Sequence, residues 1–267
     1  HWLLFFLLIL LTHPLLDALT TYGTQLFWPM TSPPIAWPIV FIIDPLYSLP
    51  LLVALVWALI DRKVVYRCGW ALGLSSLYLL FAIGAKVSVE QRMAPVLAAQ
   101  GLESAPRLVQ PAPFTTLLWR VTVADGEHYH EALVGVLDGD SPPTLETYAR
   151  GTQLEPAALA SADGRRLEWF AGPFLRYETR THNGRETLVA TDLRLGFPGF
   201  HPFAFTLATR DGDGWQPVDT TEQLPAASRN TREALARLGR RILSPEPVLC
   251  TSDFVPRQWL IRTSRQC

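Results

Sequence analysis

The sequence predicts an α-helical membrane region followed by an α+β soluble domain with a mostly antiparallel sheet, and three observations carry that prediction. The first 60 residues contain two charged side chains, Asp17 and Asp44. Apolar runs succeed one another up to residue 85: Trp2 to Leu11, Ile35 to Ile43, Leu46 to Ile60 and Cys68 to Ala85. From Lys86 onward the pattern becomes the alternation of strands, punctuated by turn dipeptides. A mean hydropathy of +0.16 therefore averages a membrane half with a polar half. The expected organisation is a helical membrane region over 1–85, a helix and Pro-rich linker over 86–112, and an outward-facing α+β domain over 113–267.

Taken in order, Trp2 to Leu11 opens without an initiator Met, a basic leader or a small-residue cleavage site. It reads as a transmembrane helix shortened at its amino end rather than as a secretory signal. Ile35 to Ile43 is interrupted by Pro33, Pro34, Pro38 and Pro45, which favours a re-entrant or interfacial segment over a plain span. Tyr22-Gly23 marks the turn that ends the first helix. Leu46 to Ile60 and Cys68 to Ala85, about 15 and 18 residues, approach the roughly 20 needed to cross a bilayer. Before Lys86 the cations are confined to Arg62, Lys63 and Arg67, between those two runs. Retention of that loop in the cytoplasm sends Asp44 and the carboxy-terminal domain to the outer side. The expectation is a multi-pass protein of the bacterial inner membrane with a periplasmic domain, touching membrane lipids.

A helix over Val89 to Ala99, stopped by Gly101, and a linker marked by Pro106, Pro111 and Pro113 lead into the soluble part. Strands are expected at Thr115 to Val123, His130 to Leu137, Leu167 to Thr179, Thr187 to Leu195 and Phe203 to Thr209. Asp125-Gly126, Asp138-Gly139, Asn183-Gly184 and Asp211-Gly212 supply their turns. Helices are expected at Thr144 to Arg150 and at Thr231 to Ile242, the second capped by Asn230 or Thr231.

A net charge of −1 gives no reason to expect a nucleic-acid partner. The arginines of the last helix, Arg232, Arg237, Arg240 and Arg241, read as a solvated face. Cys250 and Cys267 lie in the outward region and can pair in an oxidising compartment. His128 and His130 would share one face of a strand, but beside a hairpin and without further ligands nearby they make a poor metal site; His182 and His201 read as lone loop histidines.

The chemistry-bearing residues lie in the membrane region. A carboxylate in such a segment costs roughly 2.5 kcal/mol or more and is usually kept for a task. His13 and Asp17 stand four apart, so on a helix both point to one side, with Thr20 and Thr21 extending the same stripe. Imidazole and carboxylate together suit a divalent transition metal, zinc first, which would lower the pKa of a bound water. The bland alternatives are a His13–Asp17 pair or a cap at the break made by Pro14. Asp44, followed by Pro45, is either a third ligand or general base, or the cap of the next helix.

The run His13-Pro14-Leu15-Leu16-Asp17-Ala18-Leu19-Thr20-Thr21-Tyr22-Gly23-Thr24-Gln25-Leu26, then Trp28-Pro29, then Phe41-Ile42-Ile43-Asp44-Pro45-Leu46-Tyr47, resembles the bacterial family of LexA-regulated, inner-membrane-associated metal-dependent hydrolases. The resemblance implies an integral membrane protein of several helices, with His13, Asp17 and Asp44 matching the polar signature. An earlier His-Arg and Thr-His signature of that family has no counterpart in this sequence. The expectation is a membrane-bound metal-dependent hydrolase: His13, Asp17 and Asp44 on the metal, Asp44 alternatively as base, and Thr20 or Thr21 orienting water or substrate. Its substrate would be a lipid, phosphoester or envelope precursor near the outer membrane face. The alternative expectation is a non-catalytic, membrane-anchored binding or scaffold protein.

Overall fold

Three apolar helices begin the chain. The computed structural model describes residues 1–61, 65–212, 214–225, 231–244, 246 and 248–263. Helix α1, Trp2–Ala18, carries Pro14 inside it and exposes every side chain from Trp2 to Leu11. A helix that is apolar all round and left uncovered by protein is suited to lipid rather than to water. Helix α2, Pro45–Ile60, starts with Pro at its first position, where the missing N–H costs no hydrogen bond. Helix α3, Val65–Ala98, runs antiparallel to α2. The Cys68 thiol lies against the Ala54 carbonyl, Ser75 donates to the Tyr47 carbonyl at 2.9 Å, and Arg67 stacks on Trp57 at 4.3 Å. Within α3, Tyr66–Ala98 is long and apolar enough to cross a membrane, whereas α1 and α2 are shorter apolar helices. Arg62 and Lys63, which set the expected orientation, lie outside the described residues.

The 34 residues of α3 extend about 51 Å, against about 30 Å of bilayer hydrocarbon. Its second half is therefore available to the soluble domain and enters that domain's core. Val89, Met93 and Leu97, at helical spacing, are buried against Trp119, Val121, Val123 and Val134. The helix expected after Lys86 is thus the continuation of α3, and no break falls at residue 85.

Two antiparallel sheets follow. The first has the order β1-β2-β3-β4-β10, with β1 Arg107–Pro111, β2 Leu118–Asp125, β3 His128–Gly135, β4 Glu146–Ala149 and β10 Leu260–Arg262. Trp119, Val121 and Val123 face α3. Leu118, Arg120 and Thr122 face the other way, and Arg120 pairs there with Glu131 inside the protein. Helices α4, Glu155–Leu159, and α5, Ala162–Ala171, then cover the second sheet through Ala158 and Ala171. That sheet runs β5-β6-β7-β8, from β5 Leu175–His182, β6 Arg185–Asp192, β7 Ala204–Asp211 and β8 Gly214–Pro217, with β9 Gln223–Leu224 also on β7. Helix α6, Thr231–Leu243, packs Leu238 beside Leu118, Leu133 and Phe254. Asn230, one of its expected caps, lies outside the described residues.

Three expected segments differ. Thr144 to Arg150 forms no helix and contains the strand Glu146–Ala149: Glu146 and Tyr148 turn inward while Thr147 and Ala149 are half-exposed, a period of two that fits the edge of β3. The amino-terminal part of Leu167 to Thr179 belongs to α5, because Ser161 caps it by accepting from the Gly164 N–H at 2.9 Å. The Pro-marked linker contains β1, an edge strand on which Pro111 removes no ladder bond that the sheet needs. The Asn183-Gly184 hairpin forms as expected, with φ of 51° and 75°, the two left-handed residues of a type I′ turn.

Candidate functional site at the junction of helices and sheets

Residues 19–44 connect α1 to α2 without a helix of their own and are held by the ends of their neighbours. The Trp37 N–H donates to the Ala18 carbonyl at 2.7 Å and the Ile39 N–H to the Leu19 carbonyl at 2.9 Å, which buries Ile39 and Val40. Gly23 sits at φ +72°, and a Cβ there would lie 2.5 Å from the Ile35 carbonyl oxygen, so only glycine fits the turn. Aromatic contacts tie this connection to the sheets: Tyr22 meets Phe170 at 5.2 Å and Phe41 meets Phe114 edge-on at 5.3 Å. Trp169 Nε1–H donates to the Thr31 carbonyl at 3.1 Å.

His13 and Asp17 lie together on α1, imidazole Nε2 to carboxylate Oδ2 at 3.5 Å, with side chains 76% and 49% exposed. The i, i+4 spacing brings them together, as the sequence expects. Thr20 and Thr21 follow immediately after the helix. Thr20 Oγ1 donates back to the Asp17 carbonyl at 2.8 Å and so finishes the helix.

Asp44 is 1% exposed and sits in different surroundings. Its Oδ1 accepts from the Leu46 and Tyr47 N–H groups at 2.9 and 3.3 Å, capping α2. Its Oδ2 accepts from the Tyr78 hydroxyl at 2.8 Å, and that hydroxyl accepts from Thr116 Oγ1 at 2.9 Å. The relay links α2, α3 and the segment before β2. Among the described residues no three His, Cys, Asp or Glu side chains converge as a metal group, so His13 and Asp17 stand as two donors where a zinc site uses four.

Two cavities flank the connection. One, of about 520 Å³, is apolar and is bounded by Thr20 and Thr21 after α1, Phe41 and Ile42 before α2, and Phe114 and Phe197 from the domain. Phe114 holds a left-handed φ of 65°, an unusual conformation for a bulky residue, kept by its packing on Phe41. The other, of about 950 Å³, is bordered by Gly23, Thr24, Gln25, Arg166, Trp169 and Gln223. Between them runs the Asp192–Arg194 ion pair, with Arg194 stacked on Phe170 at 4.4 Å. Sequence reading missed Tyr78 and Thr116. The signal for Tyr78 was a hydroxyl inside an apolar run, but no local pattern pointed to Thr116.

Residues 1–89 match the model of a family described as YdjM inner membrane protein. The YdjM-like region thus comprises α1, α2 and most of α3, which supports association with an inner membrane; its description names no chemistry. No curated protein and no solved structure matches the chain.

Three of the other histidines have neighbours of their own. His130 Nδ1 lies 3.0 Å from Thr147 Oγ1, and burial holds its pKa below the usual imidazole value despite Asp125 nearby. His182 pairs with Glu222 at 3.1 Å. His201 lies on a loop, as expected, and is buried there, its Nδ1 3.2 Å from the Leu195 carbonyl. Burial first, and Arg120 second, push its pKa down to about 3. Cys250 is disulfide-bonded, and Cys267 lies outside the described residues. Arg241, read as part of a solvated face, is buried in an ion pair with Asp138.

Proposed function

We propose that the chain is a multi-pass inner-membrane protein whose periplasmic β domain is a binding or scaffold module, with Asp44 and Tyr78 of the membrane region serving to lock helices to that domain. The Asp44–Tyr78–Thr116 relay carries this reading, because it spends the buried carboxylate on capping and fastening. A carboxylate accepting three hydrogen bonds is poorly placed to take a proton from water as well. In this reading lipids surround the helices.

A second reading, a metal-dependent hydrolase acting at the outer membrane face, is favoured by one observation. His13 and Asp17 remain exposed and adjacent, imidazole and carboxylate oriented to one side. In that reading they hold a zinc ion with donors supplied from beyond the described pair, and Thr20 or Thr21 positions water.

Metal analysis of the purified full chain separates the two. The scaffold reading expects no stoichiometric metal, and no change in metal content for His13→Ala or Asp17→Ala. One equivalent of metal, lost in both variants while the fold survives, would overturn it in favour of the hydrolase.

A further inference from the structure

We propose that the two cavities at the junction form one amphiphile site that takes a hydroxyl-bearing anionic phospholipid, with an acyl chain in the apolar cavity and the phosphate in the polar one. The inference names the ligand of the binding-protein reading and rests on it. Four observations support the assignment. The cavities adjoin, since Tyr22 and Phe203 border both. The apolar cavity opens between the end of α1 and the start of α2, where Ile42, Phe114, Phe200 and Leu235 stay exposed around its rim. A lipid chain can therefore pass from among the apolar helices into the cavity over a continuous apolar surface.

The polar cavity presents one guanidinium suited to an anion, that of Arg166. Asp192 is neutralised by Arg194 and Asp163 accepts from Thr221 at 2.7 Å, whereas Arg166 has no ion-pair partner among the described residues. A guanidinium that presents several N–H donors is matched to phosphate oxygens. Finally, Gln110, 3% exposed, borders the apolar cavity beside Arg194. Its Nε2 donates to the Arg194 carbonyl at 3.0 Å, while its Oε1 lacks a partner among the described residues. A buried acceptor beside the Asp192–Arg194 pair, where the two cavities meet, calls for a donor, which a hydroxyl next to the lipid phosphate supplies.

The test titrates the full chain, in an uncharged detergent, with phosphatidylglycerol bearing a fluorescent acyl chain, and in parallel with diacylglycerol bearing the same chain. Saturable binding of one phosphatidylglycerol per chain, displaced by unlabelled lipid, is expected. Arg166→Gln should weaken phosphatidylglycerol about tenfold and leave diacylglycerol unchanged, the loss of one charge-assisted contact. Thr21→Trp, which fills the apolar cavity, should abolish binding of both lipids without moving the thermal midpoint. If that midpoint falls, Leu235→Trp at the rim takes its place. Non-saturable partitioning, binding that survives the cavity-filling variant, or diacylglycerol bound by the wild type as tightly as phosphatidylglycerol would overturn the proposal. Failure here with no metal bound leaves the scaffold reading standing, whereas stoichiometric metal on His13 and Asp17 removes that reading itself.

Discussion

Asp44 does three things with one carboxylate: it accepts from two backbone N–H groups at the start of α2 and from the Tyr78 hydroxyl. Asp44→Ala removes the cap and leaves a half-buried hydroxyl without its acceptor, for an expected loss of about 2–4 kcal/mol. Asp44→Asn keeps the capping oxygen and should cost about 1 kcal/mol, both measured by denaturant titration in detergent. A double-mutant cycle with Tyr78→Phe checks the pairing, and additivity of the two losses would show that Tyr78 and Asp44 act separately. His201 makes a prediction in pH. Its folded pKa of about 3 lies below the ordinary imidazole value of 6.5, so between those values the unfolded chain holds a proton that the folded chain does not. Stability from this group is therefore complete above about pH 6.5 and falls as pH drops toward 3, by a few kcal/mol at the bottom. In His201→Gln the amide can still donate to the Leu195 carbonyl. Its stability should be lower than wild type at pH 7 and flatter between pH 7 and 4, and an unchanged slope would show that His201 is not the titrating group.

Helix α3 is the element that makes one molecule of two chemistries. Its first half is apolar on all sides, and its second half contributes Val89, Met93 and Leu97 to the core under β2 and β3. Met93→Ala should destabilise the β domain by about 2–5 kcal/mol, the usual effect of truncating a buried large side chain, although the residue belongs to the helix that also carries the apolar span. Hydrogen exchange of β2 and β3 in the intact protein reads this directly, and protection equal to wild type would mean that the sheet folds without α3. The sequence displayed both halves, because apolar runs and alternating strands have different periods. It did not display their continuity, since nothing in local pattern distinguishes a helix that ends at Ala85 from one that continues. The same limit explains β4, where Glu146 is buried by its bond from Thr251, a partner about a hundred positions away. A buried glutamate reads as a surface helical residue until its partner is known.

At the scale of the whole molecule, what the sequence revealed of the candidate site followed the range of the contacts. His13 with Asp17, the turn at Gly23 and the cap at Asp44 are local and were readable. The partners Tyr78 and Thr116, and the cavity walls from Phe114 to Leu235, are assembled by tertiary packing and left no local trace. Packing also fixes a directional consequence. Because α1 ends and α2 begins at the sheets, the β domain sits at one end of the helices, while the end of α2 at Ile60 and the start of α3 at Val65 lie at the other. If the cations between α2 and α3 in the sequence keep that end cytoplasmic, the domain is periplasmic. Single cysteines at Lys63 and at the exposed Ser141, in a Cys68→Ser background, test this in intact cells with a membrane-impermeant maleimide. Ser141→Cys should label and Lys63→Cys should label only after the membrane is opened. Labelling of both before opening would mean that the two positions share a side, which the length of α3 forbids for a helix that crosses the bilayer. The orientation and the span would then fall together.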